Sequence, residues 1–308
     1  MGLSLLVLCL SSCNKFEGPQ KVPAYIHVDS IVLNCDYTQY GASTSNITDA
    51  WVYVDDQILG CFELPATFPV LKSGPHKVAI YGGVKSNGIA DARSYYPFYK
   101  PFIYQNLNLV EDSIVILNPV LNYYDIGEGA TVAWMEDFEN ANTLLPDTES
   151  DTSVVRVSGN EAWHSPNSFW SGRVELPPDS LDFTIATAVE FTFYQNMNGV
   201  YCLLEMDYNC NDTFFVGVQY YKDYRLTTWP LVKVLPTDKQ HDKPQRWNKI
   251  YINIGPTMNN NATAGYFKIY FTSDLTTNED LAYGYEYHPL NERRYYYFDN
   301  LKLLYRKL

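Results

Sequence analysis

In AWVYVDDQILGCFEL (residues 50–64), side chains alternate in character on either side of Asp55-Asp56, the pattern of two antiparallel strands joined by a tight turn. Segments of strand length recur along the 308 residues: AYIHVDSIVL (24–33), HKVAIYGGV (76–84), SIVILNPVL (113–121), then ATAVEFTFYQN, GVYCLLEMDYN, TFFVGVQYY, RWNKIYINI and GYFKIYFTS. Asp, Asn, Gly and Pro punctuate them. The 27 Tyr and 15 Phe strengthen the reading, because aromatic side chains suit a pleated, half-buried surface. The sequence therefore predicts an all-β protein, long enough for two domains with a core each.

YDIGEGAT (124–131) sets two glycines and two acids between apolar strands and reads as a linker. It separates a small Ig-like β-sandwich over residues 23–123 from a larger β-sandwich over 132–308. In the first, Trp51 and Tyr53 share one face of a strand and Val52 and Val54 the other; the pattern leaves open which face is buried.

The apolar run Leu3–Leu10 is too short to span a bilayer and leads into Leu10-Ser11-Ser12-Cys13. That tetrapeptide resembles the bacterial lipobox. The resemblance implies a signal peptide over 1–12, lipidation of Cys13, a tether over 13–22 and, with Asn14 next, an anchor in the outer membrane; surface or periplasmic orientation stays open. No later segment reaches 18 apolar residues, so the lipid is the expected membrane attachment. With 35 acidic against 22 basic residues the net charge is -13, which repels phosphate backbones and argues against a nucleic-acid partner.

Four further cysteines follow. Cys202 and Cys210 are expected as free thiols, Cys202 on a strand and Cys210 in the turn after it, while Cys35 and Cys61 could pair across two strands. The five histidines are scattered, and no Cys-x-x-Cys or His-Glu-x-x-His spacing occurs.

The stretch TDAWVYVDDQILGCFELPATFPVLKSGPHKVAIYGG resembles PEGA-like repeats of envelope proteins, which implies a spacer. The second domain opens with VAWMEDFEN and closes with RRYYYFDNLKLLYRKL, ends that resemble the first and last strands of jelly-roll carbohydrate-binding modules. The whole layout looks like the surface lipoproteins of Bacteroidetes. The jelly-roll resemblance implies a glycan ligand and a structural calcium where the terminal strands meet, with Asp137, Glu139 and Asp299 as its carboxylates.

LLEMDYNCND (203–212) places Glu205, Asp207 and Asn209 on one strand face. This resembles the Glu-x-Asp-x-Glu strand of laminarinase-type glycoside hydrolases, but the third position is an amide and cannot donate a proton to a leaving sugar oxygen. The expectation is a non-catalytic binding protein in which Trp163, Trp170 and Trp229 stack on sugar rings and Glu205, Asp207 and Gln219 take hydroxyls; Trp247 is a further candidate platform. The alternative is an adaptor on an outer-membrane β-barrel or secretion machine, and a glycosidase ranks last.

Overall fold

The computed structural model describes residues 21–148, 150–165, 167–178, 180, 182–192, 200–237, 247–273 and 293–307. The lipobox, Cys13 and the tether up to Gln20 lie outside the described residues. Strands dominate throughout, so the chain is all-β as its alternation predicts.

In the first part of the chain, Ala24–Val28 runs antiparallel to Ala66–Val70 and parallel to Ile114–Leu117, and Val32–Leu33 runs parallel to Val120–Tyr123. The facing sheet is built from Gln57–Glu63, Asp49–Val54, Gly74–Lys85 and Arg93–Tyr95, with Phe102–Leu109 also on Gly74–Lys85. Ala24, Ile26, Val28, Ala50, Val52 and Val54 point inward to the shared core, each the alternate residue of its strand. Trp51 and Tyr53 therefore stand on the outer face, where Trp51 meets Tyr95 edge-on and Tyr53 meets Tyr81. Asp55 and Asp56 both adopt positive φ (50° and 62°), as a two-residue hairpin of this twist requires. Cys35 and Cys61 are separate free thiols.

The second part forms two antiparallel sheets. One has the order Val155–Ser158, Trp170–Leu176, Arg294–Lys307, Val200–Cys210, Asn248–Asn253, with Thr131–Glu136 also on Arg294–Lys307. The other runs Leu144–Pro146, Thr184–Thr187, Tyr266–Ser273, Phe214–Lys222, Arg225–Val234. The chain crosses repeatedly between the two sheets, with Val155–Ser158/Trp170–Leu176 and Phe214–Lys222/Arg225–Val234 as hairpins within one sheet each, and the core lies between the sheets. Along Val200–Cys210, Cys202, Leu204, Met206, Tyr208 and Cys210 enter this core. Cys210 thus ends the strand instead of sitting in the turn; both cysteines are buried and outside any disulfide, and eight strand residues at ~3.3 Å each keep them apart.

The opposite face of that strand, with Leu203, Glu205, Asp207 and Asn209, turns toward the first sandwich. Leu203, Tyr251 and Leu304 pack into the first sandwich's own core. Near-complete burial of each contributes roughly 1.5–3 kcal/mol as an upper figure. The two sandwiches thus share part of one buried core.

Candidate functional site

A buried ionic cluster lies where the two sandwiches meet. Glu205 is at 0% exposure; the hydroxyl of Tyr96 donates to Oε1 at 2.7 Å, and that of Tyr123 sits 2.8 Å from Oε1 and 2.9 Å from Oε2. Lys249 Nζ is 3.1 Å and Lys302 Nζ 3.9 Å from Oε2. Burial alone would push this carboxyl up; Lys249, Lys302 and the two tyrosine donors reverse that and hold it below the ordinary carboxylate range. Burial also pulls Lys302 down, and its ammonium is steadied by the carbonyl of Ala42 at 2.9 Å. Lys249 stays charged against burial because Asp207 and Glu205 flank it, and it donates to Thr44 Oγ1 at 2.9 Å.

Asp207 lies one strand step further on. A bulge between Glu205 and Asp207 shifts the pairing with Arg294–Lys307, and Asn300 takes up the extra residue at φ 47°. Asn tolerates that left-handed backbone, and from it Nδ2 donates to Asp207 Oδ2 at 2.9 Å. Burial pushes the Asp207 carboxyl up, against Lys249 at 3.7 Å. Asn209 spends its Oδ1 on the Thr237 hydroxyl at 2.8 Å.

Asp207 and Lys249 form the inner end of a cleft of about 750 Å³ between the sandwiches, a volume within the range of small-molecule sites. Residues 30–33 and 41–46 line it from the first sandwich; Trp163, Asn167, Thr237, Trp247 and Asn248 line it from the second. The Trp163 and Trp247 rings meet edge-on, centroids 6.0 Å apart at 77°, and Tyr297 backs Trp247 at 6.3 Å. The Trp163 main chain is tied into the sheet: its N–H donates to Ser171 Oγ at 2.8 Å, and Ser171 donates to Asp299 Oδ2 at 2.6 Å. Such a cleft offers aromatic faces, amides and hydroxyls, the equipment for a polar ligand with apolar faces.

The residues expected to bind ligand divide accordingly. Trp163 and Asp207 come together in the cleft, with Trp247 beside them. Glu205 does not reach it: the first sandwich seals it away, so the carboxylate pair needed for glycoside hydrolysis cannot form on this strand. Trp170 lies outside the cleft, 37% exposed, with the Arg156 guanidinium 4.6 Å from its ring. Gln219 and Trp229 belong to the other sheet; Gln219 is buried opposite Thr228 and Lys268, and Trp229 is 55% exposed on the strand beyond.

The three carboxylates expected to hold calcium occupy one neighbourhood, but their oxygens face hydrogen-bond donors. Tyr37 donates to Asp137 at 2.9 Å, the backbone N–H groups of Phe169 and Trp170 donate to Glu139 Oε1 at 2.6 and 2.7 Å, and Ser171 with the Asn300 N–H occupies Asp299. Among the described residues no group of three His, Cys, Asp or Glu side chains could hold a metal ion, so this arrangement does not fit a calcium site. Burial instead pushes Asp299 up to about 8.

The first-sandwich contribution, GASTSN (41–46), and Lys249 carry no motif that a sequence reading could have found; only the docking of the sandwiches gives them a place in the cleft.

No family model matches the chain, and no curated protein matches it. Among solved structures, it is similar to the enzymatically active domain of tailspike protein 4 of bacteriophage CBA120, at 11% identity and TM-score 0.36 over 56% of this chain and 20% of that one. The chain thus spans about a fifth of that domain's length. It is similar to the family 11 carbohydrate-binding module of Clostridium thermocellum in complex with a β-1,3-1,4-mixed-linked tetrasaccharide, at 10% identity and TM-score 0.34 over 56% of this chain and 94% of that one. The carbohydrate-binding module TmCBM27, whose specific mannan recognition has been dissected, matches at 11% identity and TM-score 0.31 over 58% of this chain and 99% of that one. At such identities and TM-scores these likenesses carry no inference about ligand or chemistry.

Proposed function

We propose that the protein is a non-catalytic glycan-binding lipoprotein of the bacterial outer membrane, anchored through Cys13, whose ligand sits in the cleft between the two sandwiches. The observation that carries this reading is the cleft itself, with Trp163 and Trp247 beside amides and hydroxyls. Aromatic faces stack on the apolar faces of sugar rings while short polar side chains take the hydroxyls. The sealing of Glu205 supports binding without hydrolysis. Because both sandwiches line the cleft, the ligand engages the intact chain and not the second sandwich by itself. Glycan-array binding by the intact chain, lost on Trp247→Ala with the fold retained by circular dichroism, is the expected result; binding that survives Trp247→Ala and Trp163→Ala together would place the ligand elsewhere. For the anchor, Cys13→Ala should abolish metabolic labelling by a palmitate analogue, and persistent labelling would exclude that cysteine.

A second reading, an envelope adaptor, draws on the outer sheet face of the first sandwich. There Trp51, Tyr53, Tyr81 and Tyr95 form an aromatic row flanked by Ile58 and Ile103, 57% and 45% exposed. Exposed apolar faces of this kind mark interaction surfaces. Stoichiometric recovery of a β-barrel protein with the tagged lipoprotein, reduced by Tyr95→Glu, would favour it over the glycan reading.

A further inference from the structure

We infer that the end of the first sandwich remote from the cleft is a membrane-contacting surface, where Val22, Leu71 and Val110 enter the headgroup layer of a zwitterionic phospholipid leaflet and orient the molecule on it. This deepens the lipoprotein reading and rests on the anchor at Cys13.

Four chain segments meet at this end. The Asp112 N–H donates to the Pro23 carbonyl at 3.0 Å, which holds the 110–113 turn against the start of the first strand. Gly74 pairs with Leu109 and so brings residues 71–73 beside that turn, while Lys72 reaches the hairpin turn at 55–56 through Asp55 at 2.6 Å. Three of the four segments carry an aliphatic side chain in the open: Val22 is 47%, Leu71 60% and Val110 50% exposed, with Ile114 at 63% on the strand just behind. Scattered singly, such residues need no explanation; gathered on three adjoining tips, they make one apolar end.

The anchor supplies what lies against it. Lys21 enters at this end, eight positions after Cys13, so a lipidated Cys13 keeps the end within about 30 Å of the bilayer even with the tether fully extended. Charge agrees with such a neighbour. Lys72 pairs with Asp55 and Lys77 with Asp56, leaving Lys21 against Glu111 and Asp112, so this end is near neutral on a chain of net charge -13. It meets a zwitterionic surface without the repulsion that an anionic one would impose on the rest of the molecule. Partial burial of three aliphatic side chains is too weak to recruit a protein from solution, but the lipid raises their local concentration at the bilayer. The contact therefore sets orientation, not recruitment.

That orientation bears on the cleft. Gly74–Lys85 starts at this end and runs toward the second sandwich, where the Asn87 N–H donates to the Tyr251 carbonyl at 2.8 Å. Its 12 residues at ~3.3 Å each hold the cleft up to roughly 40 Å from the leaflet.

The test places the lipidated full chain on phosphatidylcholine vesicles and adds single tryptophans as reporters: Leu71→Trp, Val110→Trp and, on the 96% exposed turn of the second sandwich, Tyr224→Trp. Phosphatidylcholine brominated near the headgroup end of its acyl chains quenches tryptophans that touch it. The fluorescence added by Leu71→Trp and by Val110→Trp should fall by about half or more, and that added by Tyr224→Trp should not change. Val22→Glu together with Val110→Glu, made in the Leu71→Trp chain, should abolish most of that quenching while the protein still floats with the vesicles. Flotation with no more quenching at 71 and 110 than at 224 overturns the inference and leaves the anchor standing. Quenching that survives the two glutamates overturns insertion through these side chains. A chain that fails to float with the vesicles overturns the anchor and the inference together.

Discussion

The hydroxyl of Tyr123 bridges the two oxygens of Glu205 at 2.8 and 2.9 Å, joining residues 82 positions apart and fastening one sandwich to the other. The pair lies behind Lys249 and Lys302, so its consequence is a stability prediction. Glu205→Ala leaves two buried ammonium groups without their common partner, which costs about 3–5 kcal/mol. Urea unfolding of the variant should show that loss as a lower midpoint at similar slope. A change under about 1 kcal/mol would mean that water or rearranged tyrosines replace the carboxylate with ease.

Cooperativity between the sandwiches is the next expected outcome. Leu203, Tyr251 and Leu304 belong to the second sandwich by sequence and to the first sandwich's core by packing. Calorimetry of the full chain should give one unfolding transition. Residues 132–308 expressed alone would bare those side chains together with Lys302, and should melt at a markedly lower temperature or aggregate. Two separate transitions, the upper one reproduced by the isolated fragment, would contradict a shared core.

Much of this fold was legible as alternation. The period of two along VYCLLEMDYNC separates Cys202, Leu204 and Met206 from Leu203, Glu205 and Asp207 as the structure does. What alternation could not convey is what covers the outward face. A strand with polar residues on one side reads as solvated, and here that side is closed by another sandwich whose tyrosines arrive from positions 96 and 123. The same limit applies to the cleft. Trp163 and Asp207 were recognisable as candidates by residue type, but their place in one cleft depends on the packing of the two sandwiches, which no local pattern conveys. The calcium expectation came from the jelly-roll resemblance of the second domain's terminal strands; in the structure hydroxyl and amide donors face the oxygens of Asp137, Glu139 and Asp299.

Asp299 gives a pH prediction with a definite sign. Burial raises its carboxyl to about 8 in the folded protein, from an ordinary value of 3.8. The folded state therefore holds a proton that the unfolded state releases between those values. The stabilisation from this group is complete below about pH 4 and is lost as pH rises toward and through 8, at a slope of at most ~1.4 kcal/mol per pH unit. Asp299→Asn keeps the shape and remains neutral, with Ser171 Oγ able to accept from the new amide. The variant should flatten the stability profile between pH 5 and pH 9. Melting temperatures across that range, with the wild type run in both calcium and chelator, provide the check. A profile as steep in Asp299→Asn as in the wild type would exclude this proton, and a calcium-dependent rise in the wild type would show that an ion takes its place.

The hairpin between Phe214–Lys222 and Arg225–Val234 turns through Asp223 and Tyr224 at φ 52° and 60°, while Lys222 and Arg225 pair across its mouth. A two-residue turn with both positions left-handed favours Asn-Gly, because a Cβ there crowds the following carbonyl oxygen at a cost of roughly 1–2 kcal/mol. Tyr224 is 96% exposed, so its ring contributes little packing to offset that strain. Tyr224→Gly should therefore stabilise the protein, by ~0.5–1 kcal/mol once the greater freedom of glycine in the unfolded chain is subtracted. Tyr224→Ala separates backbone from ring: alanine keeps the Cβ and hence the strain, so it should leave stability close to that of the wild type. Thermal and urea unfolding of the two variants side by side decide the matter. Equal stabilisation by alanine and glycine would assign the effect to removal of an exposed aromatic side chain, and destabilisation by glycine would show that the tyrosine makes contacts that outweigh its backbone cost.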